Sequence, residues 1–278
     1  MNHIPTSIQL GSDQAQASSQ EYFQDGRYYA TNQPYLETYE ALENPTHGAV
    51  LIFPGGGLKT LAWANEGQAI AKWVNQALKL SAFVVHYRLS PYVYPLPQYD
   101  ARQALRIVRS YADQWHLNPN AIGVMGFSIG GHLALQLAIA PTSIPESDGE
   151  LSHISARPNW GIVGYSVSTM NSDLAHESST TTLFGGQPSL KQQQLCDLPM
   201  QIGAQTPPLF IFHELNDPAV PAAQSLRLMQ HLHPVSQNSE LHMYQGDKHG
   251  VGLATDEPGN VHTWPLAAQQ WLQNNRLI

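Results

Sequence analysis

The chain has 278 residues, of which 42% are hydrophobic and 12% are charged, and 21 acidic side chains against 13 Lys and Arg give a formal net charge of −8. This length and composition fit one large α/β domain with a buried core and exclude an intrinsically disordered chain. The acidic balance, without a long run of basic residues, argues against nucleic acid and against an anionic membrane as partners.

Nothing in the sequence indicates export or membrane insertion. The first residues contain neither a basic region nor an apolar region typical of a secretory signal, and no apolar run is long enough for a transmembrane helix. The single Cys196 excludes an internal disulfide and fits a reducing compartment, where we expect it to have a structural role. We therefore predict a cytoplasmic protein that acts on a small molecule, and the sequence leaves a homo-oligomer open.

The N-terminal part of the chain contains little regular structure. Residues 1–25 are rich in Ser, Gln and Asp and predict a loosely ordered arm on a single domain that spans residues 1–278. Two β-like segments follow, and the alternation in the second, at 36–40, is typical of an exposed edge strand. Residues 49–53 are continuously apolar, which indicates a strand covered on both faces.

From that strand onwards, apolar strands alternate with helical patterns. Such alternation predicts an α/β fold whose mostly parallel sheet has helices on both faces. Ligands of such sheets bind beyond the carboxyl ends of the strands. The further predicted strands are 82–87, 121–125, 161–165, 208–212 and 240–244, and the helices lie near 66–80, after Asp100, at 132–138, and near 190–195, 222–232 and 264–274.

The stretch Gly126-Phe127-Ser128-Ile129-Gly130 lies between a predicted strand and a predicted helix. This is the context of a nucleophile elbow, a turn so sharp that small residues must stand two positions before and after the nucleophile. The amino end of the following helix then points free N–H groups at the reacting centre. The motif therefore predicts Ser128 as a catalytic nucleophile.

A serine hydroxyl needs a base that removes its proton and an acid that orients the base. In α/β hydrolases these follow in the order Ser, acid, His. Asp217 and His249 occupy those slots, each in a loop just after a predicted strand. Glu214 and Asp247 remain alternatives for the acid.

The glycine loop Pro54-Gly55-Gly56-Gly57 follows the first buried strand. Oxyanion holes use backbone N–H groups from such a loop and from the residue after the nucleophile. We therefore predict Gly56, Gly57 and Ile129 as the oxyanion donors. A phosphate-binding loop is the alternative, but Lys59-Thr60 comes too soon after the glycines for that motif.

Metal and cofactor sites are not indicated. His231 and His233 are separated by one residue on a helix and do not share a face. His213-Glu214 lacks the second histidine of the zinc motif H-E-x-x-H. We predict neither a metal nor an organic cofactor.

Taken together, the motifs between Ala49 and Leu253 resemble those of small prokaryotic esterases in the α/β-hydrolase superfamily. The resemblance lies near the hormone-sensitive-lipase-like branch and is strongest to acetyl-xylan-esterase-like carbohydrate esterases. It implies an α/β-hydrolase fold without a large lid domain. The chain departs from the wider branch at Pro54, where His is usual, at Phe127, where an acidic residue is usual, and at Ile129, where Ala is frequent. The motifs that carry the resemblance are Phe53-Pro54-Gly55-Gly56-Gly57, Tyr87-Arg88-Leu89, Tyr94-Pro95, Asp100, Gly126-Phe127-Ser128-Ile129-Gly130-Gly131-His132-Leu133-Ala134, Pro207-Pro208-Leu209-Phe210, Val220-Pro221 and Lys248-His249-Gly250-Val251-Gly252-Leu253.

The resulting hypothesis is a serine esterase that cleaves short-acyl, acetyl-like esters, with acetylated sugars as candidate substrates. Bulky Ile129 beside the nucleophile suggests a narrow acyl pocket. An amide-cleaving hydrolase with the same triad is one alternative, and a non-catalytic ligand-binding protein on the same fold is another. The residues we expect to contact the substrate are Leu58, Trp63, Tyr165 and Val251.

Overall fold

A computed structural model describes residues 3–11, 20–145, 149–171 and 174–278 of the chain. Eight strands form a central sheet in the order β1-β4-β7-β5-β8-β9-β10-β11, and three short strands form a second sheet in the order β2-β3-β6. The strands are β1 (Ser7–Gln9), β2 (Tyr22–Gln24), β3 (Arg27–Tyr29), β4 (Tyr35–Tyr39), β5 (Ala49–Phe53), β6 (Thr60–Leu61), β7 (Ser81–His86), β8 (Ile122–Phe127), β9 (Trp160–Gly164), β10 (Leu209–Glu214) and β11 (Glu240–Tyr244).

Helices lie on both faces of the central sheet, as the alternating pattern predicts. The first of them, α1, is flanked by two π-helical turns, Trp63–Gln68 and Val74–Leu78. The helices are α1 (Ala69–Trp73), α2 (Leu96–Ser110), α3 (Ser128–Ile139), α4 (Glu177–Phe184), α5 (Leu190–Leu195), α6 (Ala223–Leu232) and α7 (Trp264–Asn274).

The sheet is parallel from β7 to β11, and only β1 and β4 run antiparallel to their neighbours. Strands β5, β7, β8, β9 and β10 are wholly buried. Continuously apolar strands are expected where helices cover both faces of a parallel sheet. The predicted fold class is therefore confirmed.

The two cores on either side of the sheet follow from the strand periodicity of two. In β5, Leu51 and Phe53 pack into one core, whereas Val50 and Ile52 pack into the other. The first core contains the buried residues of α2 and α3, and the second contains those of α1 and α7. Packing on both faces thereby fixes the position of β5, and with it the point at which the glycine loop begins.

The N-terminal segment differs from the expected loose arm within its described residues. Strand β1 pairs with β4 and forms the edge of the central sheet, so β4 is not the edge strand that its alternation suggested. Strand β2 pairs with β3 in the small sheet. Each strand has only three residues, too few to show a period in the sequence. Positions 1–2 and 12–19 of the predicted arm lie outside the described residues.

Two helical elements also differ from the sequence reading. The helix predicted from residue 66 begins three residues earlier, with the π-helical turn Trp63–Gln68. Helix α4 lies in a stretch where the sequence analysis placed no helix. Between β9 and β10 the described residues contain only the short helices α4 and α5 and one 3₁₀ turn, Leu198–Gln201, and no large lid is evident there.

Candidate active site

The carboxyl ends of the parallel strands place three sequence-predicted residues together. Ser128 follows β8, Asp217 follows β10 and His249 follows β11. Strands β8, β9, β10 and β11 are neighbours in the sheet. Loops that leave these strands must therefore meet at one edge, which is where ligands of such sheets bind.

Ser128 lies at a strained turn between β8 and α3. Its φ angle is +53°, in the left-handed region that residues with a side chain rarely adopt. The turn also brings α3 against the glycine loop, because a Cβ atom on Gly130 would lie 2.1 Å from the carbonyl oxygen of Phe53. Strain of this kind persists only where the surrounding structure fixes it, and it is concentrated at functional sites.

The three predicted triad residues form a continuous chain of hydrogen bonds. The distance between Ser128 Oγ and His249 Nε2 is 2.9 Å, and that between His249 Nδ1 and Asp217 Oδ2 is 2.7 Å. If Nδ1 carries the proton that it shares with Asp217, Nε2 is left as an acceptor for the hydroxyl proton of Ser128. This geometry is suited to nucleophilic catalysis with a histidine base.

Asp217 is held by four hydrogen-bond donors. Its Oδ1 atom accepts from the backbone N–H groups of Ala219 (2.8 Å) and Val220 (2.9 Å). Its Oδ2 atom lies 3.2 Å from His213 Nε2 as well as close to His249. Burial alone would raise the pKa of Asp217, but the hydrogen bonds from the two histidines outweigh it and lower the pKa below the usual range.

His213 was not predicted to belong to the site. Its ring is fully buried, with Nδ1 2.7 Å from Ser225 Oγ and Nε2 3.0 Å from the carbonyl oxygen of Val220. A neutral ring that accepts from Ser225 and donates from Nε2 satisfies all of these contacts. The sequence signal, a histidine four residues before Asp217 at the end of a strand, is too common to indicate this role.

The two alternative acids lie elsewhere. The carboxylate of Glu214 accepts a hydrogen bond from the backbone N–H of Lys248 at 2.6 Å. The side chain of Asp247 is exposed. Of these three acidic residues, Asp217 is the one that contacts the imidazole of His249.

The glycine loop is shaped to present N–H groups. Gly56 has a φ angle of +127°, and a Cβ atom there would lie 2.1 Å from the carbonyl oxygen of Thr60, so only glycine fits. Among the described residues, none accepts a hydrogen bond from the N–H of Gly56 or of Gly57. Ile129 lies in the first turn of α3, where N–H groups have no intrahelical acceptor. These N–H groups are available to an oxyanion.

A cavity of about 280 Å³ lies over the nucleophile. Six of its eleven lining residues have polar side chains, three are glycines and the other two are alanines. A wall of this kind accepts a small acyl group and offers polar partners to the rest of a substrate. The lining residues are Arg27, Gly56, Gly57, Ala62, Asn65, Glu66, Ser128, His176, Ala219, His249 and Gly250.

The four residues that we expected to contact the substrate do not line this cavity. Leu58, Tyr165 and Val251 are buried in the hydrophobic cores. Trp63 is turned away and donates its indole N–H to Glu37. Sequence position after a glycine loop or a strand places a residue near the site, but it does not give the direction of the side chain.

Ile129 also differs in part from the expectation. Its side chain is fully buried and packs in the hydrophobic core rather than along the cavity. It therefore does not narrow the acyl pocket as we expected, and only its backbone N–H, in the first turn of α3, remains a candidate oxyanion donor.

Four cavity residues with polar side chains were missed by the sequence analysis. Arg27 comes from the small sheet, His176 precedes α4, and Asn65 and Glu66 lie in the first π-helical turn. Glu66 is 2% exposed, unusually low for a carboxylate. Neither a motif nor a period in the sequence marks these residues, because each is brought to the cavity by tertiary packing.

In the described parts of the chain, no three or more His, Cys, Asp or Glu side chains are grouped so that they could hold a metal ion. A search of the same residues finds no helix that is both long and apolar enough to cross a membrane. The thiol of Cys196 is buried, and burial raises its pKa to about 12. A thiol with so high a pKa is a poor nucleophile at neutral pH.

Comparison with known proteins gives relatives over most of the chain. The model of the BD-FAE family matches residues 38–232. An acetylxylan esterase of Xylanibacter ruminicola is 30% identical over 217 residues, which are 77% of this chain and 43% of that protein. The chain spans less than half the length of the curated relatives it matches.

Solved structures share the fold over nearly the whole chain. The acetyl ester-xyloside bifunctional hydrolase from Caldicellulosiruptor lactoaceticus is 30% identical, with a TM-score of 0.85 over 98% of this chain and 97% of that one. A thermophilic esterase from the Planctomycetes species Thermogutta terrifontis, solved with propionate bound, has a TM-score of 0.75 at 21% identity, over 88% of this chain and 91% of that one.

Proposed function

The chain belongs to the BD-FAE family within the α/β-hydrolase superfamily, and on that premise we propose that it is a serine esterase that hydrolyses short-acyl carboxylic esters. The observation that carries this proposal is the hydrogen-bonded chain Ser128–His249–Asp217 at a small polar cavity. Gly56 and Gly57, whose N–H groups have no acceptor among the described residues, line the same cavity, and Ile129 directly follows the nucleophile. A nucleophile, a base, an orienting acid and oxyanion donors are the parts that acyl transfer requires.

In the acylation half of the reaction, Ser128 Oγ attacks the carbonyl carbon of the ester while its proton passes to His249 Nε2. The carbonyl oxygen becomes an oxyanion, which accepts hydrogen bonds from the N–H groups of Gly56, Gly57 and Ile129. Asp217 stabilises the imidazolium through Nδ1–H. The imidazolium then returns its proton to the leaving alkoxide, and the alcohol departs from the acyl-enzyme.

Deacylation repeats these steps with water as the nucleophile. His249 Nε2 takes a proton from the water molecule as its oxygen attacks the acyl carbon. The same N–H groups hold the second oxyanion, and the imidazolium gives its proton to Ser128 Oγ as the carboxylic acid is released. The free enzyme, with a neutral His249 and a protonated Ser128 hydroxyl, is thereby restored.

For the substrate, we propose an acetyl-like acyl group on a polar alcohol, with acetylated sugars as the class to test first. The cavity of about 280 Å³ with its polar wall supports a short acyl group beside hydroxyl-bearing material. Two of the relatives carry names that refer to acetylxylan and to an acetyl ester and xyloside. The polar side chains at hand are Arg27, Asn65 and His176.

The nucleophile is tested by Ser128→Ala and by covalent labelling. We expect Ser128→Ala to lower kcat by several orders of magnitude in a folded protein, with residual catalysis from the oxyanion hole. A serine-directed organophosphonate should add to Ser128, as measured by mass spectrometry of the digested protein. Retention of more than about a tenth of the activity, or an adduct on another residue, would refute the assignment.

The substrate class is tested by comparing matched compounds. Hydrolysis rates are measured for acetylated xylo-oligosaccharides, p-nitrophenyl esters and the amide analogue of the best ester. We expect the esters to be cleaved and the amide to be far slower. A faster rate on the amide would make the protein an amidase. If Ser128 reacts with the organophosphonate but the unlabelled protein hydrolyses none of the esters, the esterase proposal is wrong.

The predicted cytoplasmic location and the absence of nucleic-acid and membrane partners remain predictions. Fractionation of the source cells, with immunodetection of the chain, would test the location. Light scattering of the purified protein would give its oligomeric state.

A further inference from the structure

The π-helical turn Trp63–Gln68 lies between the two loops that the proposed chemistry needs. One is the glycine loop after β5, which holds the oxyanion donors. The other is the loop after β11, which carries His249. Extra-wide helical turns of this kind are rare and are frequently found at functional sites. Its residues Asn65 and Glu66 both line the catalytic cavity.

Glu66 is bonded directly to the glycine loop. Its Oε2 atom accepts a hydrogen bond of 2.7 Å from the backbone N–H of Gly55, the residue before the first oxyanion donor. The fit is close, because a Cβ atom on Gly55 would lie 2.8 Å from Glu66 Oε2 and 2.8 Å from Ser128 Cβ. A shift of the Glu66 carboxylate would therefore move the loop over the nucleophile.

Through Tyr165, Glu66 is also bonded to the histidine loop. The hydroxyl of Tyr165 donates to Glu66 Oε1 at 2.8 Å and accepts from the backbone N–H of Gly252 at 3.1 Å. The Tyr165 ring also contacts the His249 ring edge to face, with centroids 5.0 Å apart. Tyr165 thus connects Glu66 to the backbone of Gly252, three residues after His249, and to the imidazole of His249.

The neighbouring Asn65 adds a second bond to the same loop. Its Nδ2 donates to the carbonyl oxygen of Gly250 at 2.7 Å. Gly252 has a φ angle of +55°, and a Cβ atom there would lie 2.2 Å from Asn65 Oδ1. The histidine loop is therefore seated closely on the π-helical turn.

We propose that Glu66 is a positioning residue that holds the oxyanion loop and the histidine loop in register on either side of Ser128. It acts through Gly55 and Tyr165 rather than by contact with the reacting atoms. The inference rests on the proposed esterase function and adds to it a residue outside the triad. Misplacement of a catalytic group by about 1 Å can cost on the order of 100-fold in rate, so such register has a large effect.

The two carboxylate oxygens of Glu66 fit this role. Burial is the largest effect on the pKa of Glu66 and leaves it raised, although the Gly55 N–H, the Tyr165 hydroxyl and the nearby His249 act in the opposite direction. Each carboxylate oxygen accepts one donor, so the anionic form satisfies both contacts. An amide in its place has an acceptor oxygen at only one of the two positions and an NH₂ group at the other, which makes Glu66→Gln a graded test of the network.

The experiment compares kcat and KM of Glu66→Gln, Glu66→Ala and Tyr165→Phe on one short-acyl ester, together with Tm. Asp197→Asn is the control, because Asp197 is another buried carboxylate, paired with Arg227 at 2.8 Å in a different part of the fold. We expect kcat to fall about tenfold in Glu66→Gln and in Tyr165→Phe and about 100-fold or more in Glu66→Ala, with little change in KM. Asp197→Asn should lower Tm while kcat is retained.

A second readout is the rate at which an organophosphonate labels Ser128, since its phosphoryl oxygen occupies the same oxyanion site. This rate should fall in parallel with kcat in the Glu66 and Tyr165 variants. If folded Glu66→Gln and Tyr165→Phe both keep kcat and labelling within about twofold of wild type, the positioning role is wrong. The esterase proposal would still stand in that case, because it fails only if Ser128→Ala remains active or Ser128 is not the labelled residue. If Glu66→Ala does not fold, the two conservative variants still decide the question.

Discussion

Replacing Asp217 by Asn tests the orientation of the catalytic histidine. The change keeps the size of the side chain but exchanges one carboxylate oxygen for an NH₂ group, which can only donate. The amide has two orientations, and the structure decides between them. If the NH₂ group took the place of Oδ1, it would face the N–H groups of Ala219 and Val220, and both hydrogen bonds would be lost.

The remaining orientation puts the NH₂ group in the place of Oδ2, opposite His249 Nδ1 and His213 Nε2. It keeps both backbone hydrogen bonds and loses the 3.2 Å contact with His213, whose Nε2 still has the carbonyl oxygen of Val220 as a partner. His249 then accepts at Nδ1 and carries its proton on Nε2, which faces Ser128 Oγ. In that tautomer the ring cannot take the proton of the nucleophile. The equivalent change in the serine-protease template lowers kcat about 10⁴-fold. We expect a loss of that order here, or about 5 kcal/mol in the activation free energy.

The assay is steady-state hydrolysis of a p-nitrophenyl acetate at saturating substrate, with Glu214→Gln and Asp247→Asn as matched controls. Both controls remove an acidic side chain near the histidine loop that does not contact the imidazole. We expect their kcat values to remain within about tenfold of wild type. A folded Asp217→Asn that keeps a tenth of its activity, or a control that loses most of its own, would refute the assignment of Asp217.

Three further predictions concern the oxyanion loop, the acyl pocket and acid stability. Gly56→Ala should lower kcat about 10²- to 10³-fold, because the new Cβ atom would collide with the carbonyl oxygen of Thr60. Gly57→Ala should have a smaller effect, because nothing lies within 4 Å of a Cβ atom at that position. The two kcat values are measured on one ester, and equal losses would contradict the prediction. Across p-nitrophenyl esters, kcat/KM should peak at about two to four acyl carbons, since a cavity of about 280 Å³ leaves longer chains without apolar contact, and a peak at about eight carbons would show a longer pocket. Burial lowers the pKa of His132 in the folded protein to about 4, whereas an unfolded histidine titrates at about 6.5. The neutral ring therefore favours the folded state above about pH 6.5, and this contribution is lost as the pH falls towards 4, so urea unfolding should show about 2 kcal/mol less stability at pH 5 than at pH 7. The same loss of stability in His132→Gln would exclude this ring as the source.

The central fold was predictable because its signals are local. Continuous apolar runs such as 49–53 mark strands covered on both faces, and the alternation of strands with helices leaves few topologies. Ser128, Asp217 and His249 could be proposed for a related reason. Each follows a predicted strand of the parallel sheet, so the sheet brings their loops together without knowledge of any side-chain direction.

The cavity wall could not be predicted in the same way. A glutamate near the start of a helix, such as Glu66, is typical of a solvent-exposed first turn. Its burial depends on Gly55, 11 residues earlier, and on Tyr165, 99 residues later. Leu58 and Trp63 show the opposite error. They are close to the glycine loop in sequence, but their side chains point into the protein and not into the cavity. Long-range packing sets these directions, and no local period encodes it.

The small sheet has a practical consequence for anyone who shortens this protein at its N-terminus to the start of the family match. The family match begins at residue 38, whereas Arg27 belongs to β3 and forms part of the cavity wall. Strand β3 also pairs with β6, which begins three residues after Gly57, and Arg27 donates a hydrogen bond to Thr60 Oγ1. A shortened protein that starts at the family boundary would retain every triad residue and yet unpair the strand that follows its oxyanion loop. Expression vectors for assays, crystallisation or directed evolution should therefore begin upstream of β2.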